Sequence, residues 1–472
     1  MLTYQDYLKV GETFEEKTGF IKRLIYQHKA SEMYREAEVA EAYKKHRNVT
    51  IAAFQKLLYT VSGKAVPDNW SPNFKMACRH FHRFILQETQ FLLGNGVTWN
   101  EESTADKLGN KKYTFDNQLQ EMAKNALTHG VCFGFFNLDH VEVFSLLEFA
   151  PLYDEQDGSL KAGVRFWQVD SNKPLRATFY ELDGYTELIW IDGKPEILQD
   201  KRAYKLITRQ SEIDGTEIYK GENYPVFPIV PMWGNPEHQS ELVGLREQID
   251  CYDLIKSGFA NTVDEASIIY WTLQNAGGMD DVDLAKFVER IKTVHAATVD
   301  DDGARAESHM LEAPYQSREA LLERLDKDLY RDAMALDVER IASGATTATQ
   351  IRAAYEPLNS KCDSFEYCVL DFIQRIMMLA GVDDEPTFTR SMIVNVAEDV
   401  ETILKAVNFL PDEYVTRKIL TLLGDGDQAD KLLRQIDADE LDRYGVTGGR
   451  NGLNAVDRTS VEQTGAEDSQ TV

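Results

Sequence analysis

Ser240–Ala266 reads SELVGLREQIDCYDLIKSGFANTVDEA, and Arg318–Ile341 reads REALLERLDKDLYRDAMALDVERI. Both carry apolar residues at helical spacing: Leu242, Leu245, Ile249, Tyr252, Phe259 and Val263 in the first, Leu321, Leu325, Leu329, Ala333 and Leu336 in the second. Ser240 and Ser317 are the expected N-caps, because a hydroxyl there can accept from an orphan N–H of the first turn. At 1.5 Å per residue the first helix would be about 40 Å long. Between the two lies a compact insert. Strand is expected over Ile268–Leu273, helix over Val282–Lys292, strand over Val294–Val299, a turn at Asp300–Gly303 and strand over Arg305–Leu311. Two long helices with a small αβ insert at their far end predict a stalk carrying a head.

On the C-terminal side, Glu339–Thr349 (ERIASGATTAT) is small and polar, so a flexible loop is expected. A third helix is expected over Gln350–Leu379, kinked or broken at Pro357, which has no N–H to donate. Residues Glu398–Leu441 read as acidic helix. Thr447–Val472, rich in Gly, Ser, Thr, Asp and Glu, reads as a disordered tail.

On the N-terminal side, residues 1–60 read as helical and charged, with Ala30–Arg47 mixing both signs as a solvated helix does. Pro67, Asp68 and Pro72 mark a break. Helices are expected over Phe74–Leu93, ending at Gly94-Asn95-Gly96, and over Asn117–Thr128; His129–Phe136 turns toward strand. From Val141 to Trp233, Val, Ile, Phe, Tyr and Thr dominate. Asp157-Gly158, Asp183-Gly184, Asp192-Gly193 and Asp214-Gly215 punctuate them, the grammar of antiparallel hairpins. Pro225, Pro228 and Pro231 close this region with a stretch that cannot form a central strand. The fold class is therefore α+β.

Lys plus Arg number 51 against 78 Asp plus Glu, a formal charge of −27, which excludes a non-specific nucleic-acid clamp over the whole surface. Five cysteines, with no C-x-x-C pair, predict neither a disulfide framework nor a cysteine zinc site, and suit a reducing cytoplasm. The start, MLTYQDYLKVGETFEEKTG, lacks an apolar h-region, and no run reaches 18 apolar residues; neither a secretory signal nor a membrane helix is expected.

Chemistry-bearing motifs are sparse. There is no G-x-x-x-x-G-K-[ST] loop, G-x-S-x-G elbow or H-E-x-x-H helix. Cys78-x-His80-x-His82 would splay its side chains on a helix. Asp280-Asp281-x-Asp283 and Asp300-Asp301-Asp302-Gly303 lack the closing glutamate of a calcium loop and read as solvated turns. No catalytic group, metal or cofactor is expected. An ATP-driven enzyme is disfavoured by the missing phosphate loop.

Several segments, in this order, resemble the portal proteins of tailed double-stranded DNA bacteriophages, of the siphophage type infecting Gram-positive hosts. They are Phe91–Val97 (FLLGNGV), His129–Phe133 (HGVCF), Leu147–Asp154 (LEFAPLYD) and Ile229–Asn235 (IVPMWGN). Ile229–Asn235 leads into Ser240-Glu241-Leu242, then Ile249–Tyr252, Ser257 and Asn261. Ser343-Gly344-Ala345 and Asp399-Val400-Glu401 complete the set. One departure is Thr346–Thr349, where the family often has a longer apolar run.

The resemblance implies a portal fold. Residues 1–239 would form a wing, 240–267 and 317–338 a two-helix stem, and 268–316 an αβ clip. A tunnel loop would span 339–349, a kinked helix returning to the wing 350–397, crown helices 398–446 and a disordered tail 447–472. It further implies a dodecameric ring at one capsid vertex, through which double-stranded DNA enters during packaging and leaves at ejection. Implied partners are the terminase large subunit, a head–tail adaptor, and the major capsid and scaffolding proteins, with no membrane. DNA-facing residues would be Arg340, Ser343, Gly344, Thr346, Thr347, Thr349 and Arg352; Asp300, Asp301 and Asp302 would dock the clip's partners. The acidic charge would repel phosphates from the channel wall, or serve only solubility. The alternative reading is a ring-forming head–tail connector without a motor-facing role.

Overall fold

A computed structural model describes residues 2–60, 63–69, 71–101, 103–210, 217–266, 270–274, 280, 282–283, 285–287, 289, 305–309, 315–339, 348–391, 400, 403–405, 407–409, 411–423 and 432–433. The chain divides into two units, Met1–Ser343 with Ala354–Met392, and Gly344–Ala353 with Ile393–Val472.

The first unit opens with helices α1 (Tyr4–Leu8), α2 (Phe14–Ala30), α3 (Glu32–Lys44) and α4 (Val49–Ala53), each begun by a side-chain cap from Thr3, Thr13, Ser31 or Asn48. The hairpin β1 (Leu57–Tyr59) and β2 (Ala65–Pro67) follows, then α5 (His80–Leu93), β3 (Val97–Thr98), α6 (Ser103–Leu108) and α7 (Phe115–His129). The charged helix α3 is not simply solvated. Its Tyr34, Ala37, Ala40 and Tyr43 are buried, because small residues at helical spacing let it lie closely against its neighbours.

Strands β4 (Val131–Asn137) and β5 (His140–Ser145) pair with β13 (Ile229–Trp233) in the order β13-β4-β5. Pro231 lies opposite Phe133 on β13, at the sheet edge where a missing N–H is tolerated. Gly134 on β4 is needed for close approach: a Cβ there would stand 2.7 Å from the Phe372 ring.

A second sheet is an antiparallel meander of β6 (Phe149–Tyr153), β7 (Leu160–Trp167), β8 (Leu175–Glu181), β9 (Gly184–Ile191) and β10 (Lys194–Arg202). The β9–β10 connection is Asp192-Gly193, both at positive φ (50° and 79°), as a type I′ turn requires. Ala150, Leu152, Val164, Phe166 and Phe179 of this sheet pack on Tyr7 of α1 and on Phe20, Leu24 and Ile25 of α2. The pair β11 (Lys205–Gln210) and β12 (Glu217–Glu222) completes the region.

The long helices follow. α8 is Arg246–Ala266, α9 is Tyr315–Asp332 and α10 is Ala348–Ala380; between the first two, β14 (Tyr270–Gln274) pairs antiparallel with β15 (Arg305–His309). The outer strands of the expected insert are thus present. The expected Val294–Val299 strand and Asp300–Gly303 turn lie outside the described residues, and Val282–Lys292 is described only in part. β16 (Thr387–Phe388) pairs with β3. In the second unit, α11 spans Asp412–Leu423 and buries Val415. Most of the expected acidic helices and all of the expected tail lie outside the described residues.

Four boundaries differ from expectation. The helix expected from Phe74 begins at His80, for a reason given below. The helix expected from Ser240 begins at Arg246, because Gly244 sits at φ 86° and 241–245 form turns. Ser240 caps that turn instead: its hydroxyl accepts from Leu242 N (3.1 Å) and donates to the Thr128 carbonyl (2.6 Å). α9 already starts at Tyr315, so Ser317 lies inside it, and it stops at Asp332 where Met334 takes φ 53° and Ala335 N–H reaches back to the Tyr330 carbonyl. The helix expected to be kinked or broken at Pro357, α10, is not broken there. Leu358, Cys362, Phe365, Val369, Phe372, Ile373 and Ile376 are all buried beyond it, and their packing outweighs the lost hydrogen bond and ring clash, together about 3 kcal/mol.

Candidate functional site at the first long helix

Asp250, Asp253, Ser257 and Asn261 share one face of α8, beside its apolar stripe. Three of them hold the segment Phe74–Cys78 before α5. Cys78 N–H donates to Asp253 Oδ1 (2.8 Å), Met76 N–H to Ser257 Oγ (2.9 Å) and Phe74 N–H to Asn261 Oδ1 (2.7 Å). Four helical residues advance about 6 Å, and two extended residues about 6.6 Å. The two repeats match, so alternate N–H groups of one segment meet successive turns of the other. This ladder is why the chain is extended before His80: the side-chain acceptors on α8 replace the helical carbonyls.

The same face is braced from behind. Asn48 Nδ2 donates to Asp253 Oδ2 (2.8 Å) while its Oδ1 caps α4. Asp250 accepts from the hydroxyls of Tyr43 and of Thr50 (2.7 Å). Asp253 is buried, and burial pushes its carboxyl above the usual range against the pull of Asn48 and Cys78.

A second polar cluster lies at the inner end of the long helices. Lys361 Nζ of α10 stands 2.8 Å from Glu88 Oε2 of α5 and 2.7 Å from Glu241 Oε2 of the turn before α8. It also reaches the Ala333 carbonyl just beyond α9 (3.4 Å), and Asn235 Nδ2 donates to Glu241 (2.8 Å). Burial pushes the Glu88 carboxyl up to about 7, with Lys361 opposing and Glu241 reinforcing. Lys361 is driven above the ordinary lysine range by the two carboxylates, against its burial. One ammonium therefore ties four segments together.

Between α5 and α9, His80 Nε2 lies 2.7 Å from Asp326 Oδ1, and Arg83 donates to the Tyr330 hydroxyl. They line a cavity of about 380 Å³ whose wall carries both charge signs. Cys78 is on the extended segment and His80 opens α5, while His82 packs edge-on against His46, so the three do not converge. Burial pushes the Cys78 thiol up to about 12, which leaves it a poor nucleophile. Among the described residues no group of three or more candidate ligands is placed to hold a metal. What this arrangement does chemically is position: it fixes α8 and α9 to the body of the first unit.

Of the residues expected to face DNA, Thr349 and Arg352 lie on the first turns of α10, both exposed; Arg340, Ser343, Gly344, Thr346 and Thr347 lie outside the described residues. So do Asp300, Asp301 and Asp302. Asp280 Oδ1 accepts from Val282 and Asp283 N–H (2.9 Å each), the turn expected of it. Sequence reading named Asp250, Ser257 and Asn261 by their likeness to a family pattern but gave them no role. It passed over Asp253, Glu88 and Lys361. The available signal was polar residues at helical spacing beside an apolar stripe. No described helix is long and apolar enough to cross a membrane.

The portal protein of Clostridium phage phiCD119 is 28% identical over 387 residues, covering 75% of this chain and 83% of that protein. The portal protein of Bacillus phage SPP1 is 22% identical over 423 residues, 84% of this chain and 81% of that protein. A chain in the solved neck of a native GTA particle, computed with C12 symmetry, superposes with a TM-score of 0.41 at 10% identity, over 72% of this chain and 89% of that one. Residues 25–440 match the family described as phage portal protein, SPP1 Gp6-like, and with that span covering most of its length this chain belongs to the phage portal protein family.

Proposed function

We propose that the protein forms a dodecameric ring at one capsid vertex and serves as the channel for double-stranded DNA during packaging and ejection. The observation that carries this reading is the family match over residues 25–440. In it, α8 and α9 are the stem, the β14–β15 insert is the clip that docks the terminase large subunit and later the head–tail adaptor, and residues 1–239 are the wing. Glu339–Thr349 is the tunnel loop, with Arg340, Ser343, Gly344, Thr346, Thr347, Thr349 and Arg352 toward the DNA. Asp300, Asp301 and Asp302 face the clip's partners. Major capsid and scaffolding proteins contact the outer ring during assembly in the host cytoplasm.

Two physical features support the reading. Leu321 of α9 and Val263 of α8 are exposed on helices whose stripes call for cover, which neighbouring subunits supply in a ring. The formal charge of −27 per chain makes phosphate contacts with the wall weak and short-lived, as sliding DNA requires. The protein has a structural role; no catalytic step is assigned to it. Electron-microscope images of the purified full chain test the reading together with native mass. A ring of about twelve times 53.7 kDa with an open channel is expected. A folded monomer at every concentration overturns it.

A further inference from the structure

Two apolar surfaces of the first unit are open. On the β1–β2 hairpin, Leu57 is 47% exposed, Leu58 46% and Tyr59 74%. Successive strand residues point to opposite faces, so neither face of β1 is covered. A lone two-stranded hairpin is marginal in water and needs a surface to lie on. The other surface is a groove of about 720 Å³ along α8, floored by Phe259, Val263 and Leu322. Phe74 and Met76 form a wall of it. The backbone of that wall is pinned by the ladder to Ser257 and Asn261, so the groove is built into the fold.

Charge selects the occupant. From Asn48 to Pro67 there is no carboxylate, and Lys56 and Lys64 bracket the exposed strand residues. The groove carries Lys256 and Asp264 beside its apolar floor, and the adjoining hollow along α9 carries Glu319, Glu323 and Asp326, so four carboxylates face one ammonium across the two. A cationic apolar hairpin and an acidic apolar groove are complementary. Complementary patches at different places on one chain join copies head to tail, the contact that closes into rings.

We propose that the β1–β2 hairpin of one subunit docks in the α8–α9 groove of a second copy of this chain. The inference rests on the ring reading above and adds to it the surface by which neighbours meet. The test uses full-length chains in a Cys251→Ser background, which removes the exposed native thiol. Tyr59→Cys chains, isotopically labelled, are assembled with unlabelled Val263→Cys chains and oxidised. A mixed disulfide dimer is expected, enriched about tenfold or more over a control in which Leu198→Cys replaces Val263→Cys. A ring without that enrichment overturns the docking and leaves the ring reading standing. A doubly substituted chain that instead closes on itself also overturns the docking, placing the hairpin over its own groove. A monomer under all conditions overturns both. Independently, Leu58→Ser is expected to weaken association about tenfold with the fold unchanged by circular dichroism; unchanged association in a folded variant counts against the docking.

Discussion

The two ends of α9 carry one apolar stripe and meet opposite surroundings. At the inner end Leu329 is completely buried, and Ala333 and Leu336 just beyond the helix are buried too; at the outer end Leu321 is 44% exposed. Polar contacts follow the same gradient. The inner end is held by His80 on Asp326, Arg83 on Tyr330, and Gln87 exchanging hydrogen bonds with both backbone groups of Leu336 (2.9 and 3.0 Å). The outer end touches α8 through Arg318, which donates to Thr262 Oγ1 (2.7 Å) and the Gly258 carbonyl (3.3 Å). An amphipathic stripe states that a face is to be covered; it does not state by what. One chain covers the inner half and leaves Leu321 of the outer half exposed.

The sharpest way to break this contrast is to attack the inner anchor. Lys361→Met keeps the volume but strands the Glu88 and Glu241 carboxylates, and should lower unfolding free energy by about 3–5 kcal/mol in urea titrations at pH 8. The sign with pH is informative. Glu88 already stands at about 7, above its ordinary 4.5, even with Lys361 holding it down; without the ammonium it rises further and is protonated at pH 5, where the loss should shrink. An equal loss at both pH values would show that Glu88 is not the stranded group.

Next comes the stripe itself. Leu329→Ala should cost about 2–5 kcal/mol, whereas Leu321→Ala should change chain stability by no more than about 0.5 kcal/mol. Equal costs would mean the outer end is covered within one chain. The ladder on α8 should grade in the same direction. Asp253→Ala removes a buried acceptor from Cys78 N–H and Asn48, a loss of about 1–3 kcal/mol, while Asn261→Ala at the exposed rung should cost less than about 1 kcal/mol. Hydrogen exchange of the Cys78 and Phe74 amides reads the two rungs separately, and identical responses would remove the gradient.

The smallest effect is an acid one at the core behind the inner end. Burial would raise Glu41, but His129 (3.2 Å), Lys45 (3.0 Å) and Lys44 (3.5 Å) hold it down to about 2. A carboxyl lowered from 4.5 binds fewer protons folded than unfolded, so its contribution is complete above 4.5 and is lost as pH falls toward 2. Burial also lowers His129, whose contribution is lost as pH falls below 6.5. Glu41→Gln should flatten the lower part of the stability–pH curve; an unchanged curve would remove Glu41 from the account.

Much of the architecture was legible from residues close together in the chain. Asp183-Gly184 and Asp192-Gly193 placed the hairpins of the meander, since left-handed turns favour those residues. The Leu321–Leu336 and Leu242–Val263 stripes announced the long helices, and the ordered motifs from Phe91 to Glu401 announced the family. Helix starts were another matter. Residues 74–79 follow a helical pattern, yet Asp253, Ser257 and Asn261 supply acceptors from far along the chain, and those win over the local i→i−4 bonds. Ser240 looks like the cap of a long helix, yet its hydroxyl is spent on Thr128, and Gly244 turns the chain before the helix begins. Glu88, Glu241 and Lys361 share no local pattern at all. The sequence by itself determined which segments repeat every two or every 3.6 residues, because that periodicity belongs to the backbone. Only the tertiary structure decided where each repeat stops and which buried charges meet, because the competing hydrogen-bond partner or counter-ion arrives from a distant part of the chain.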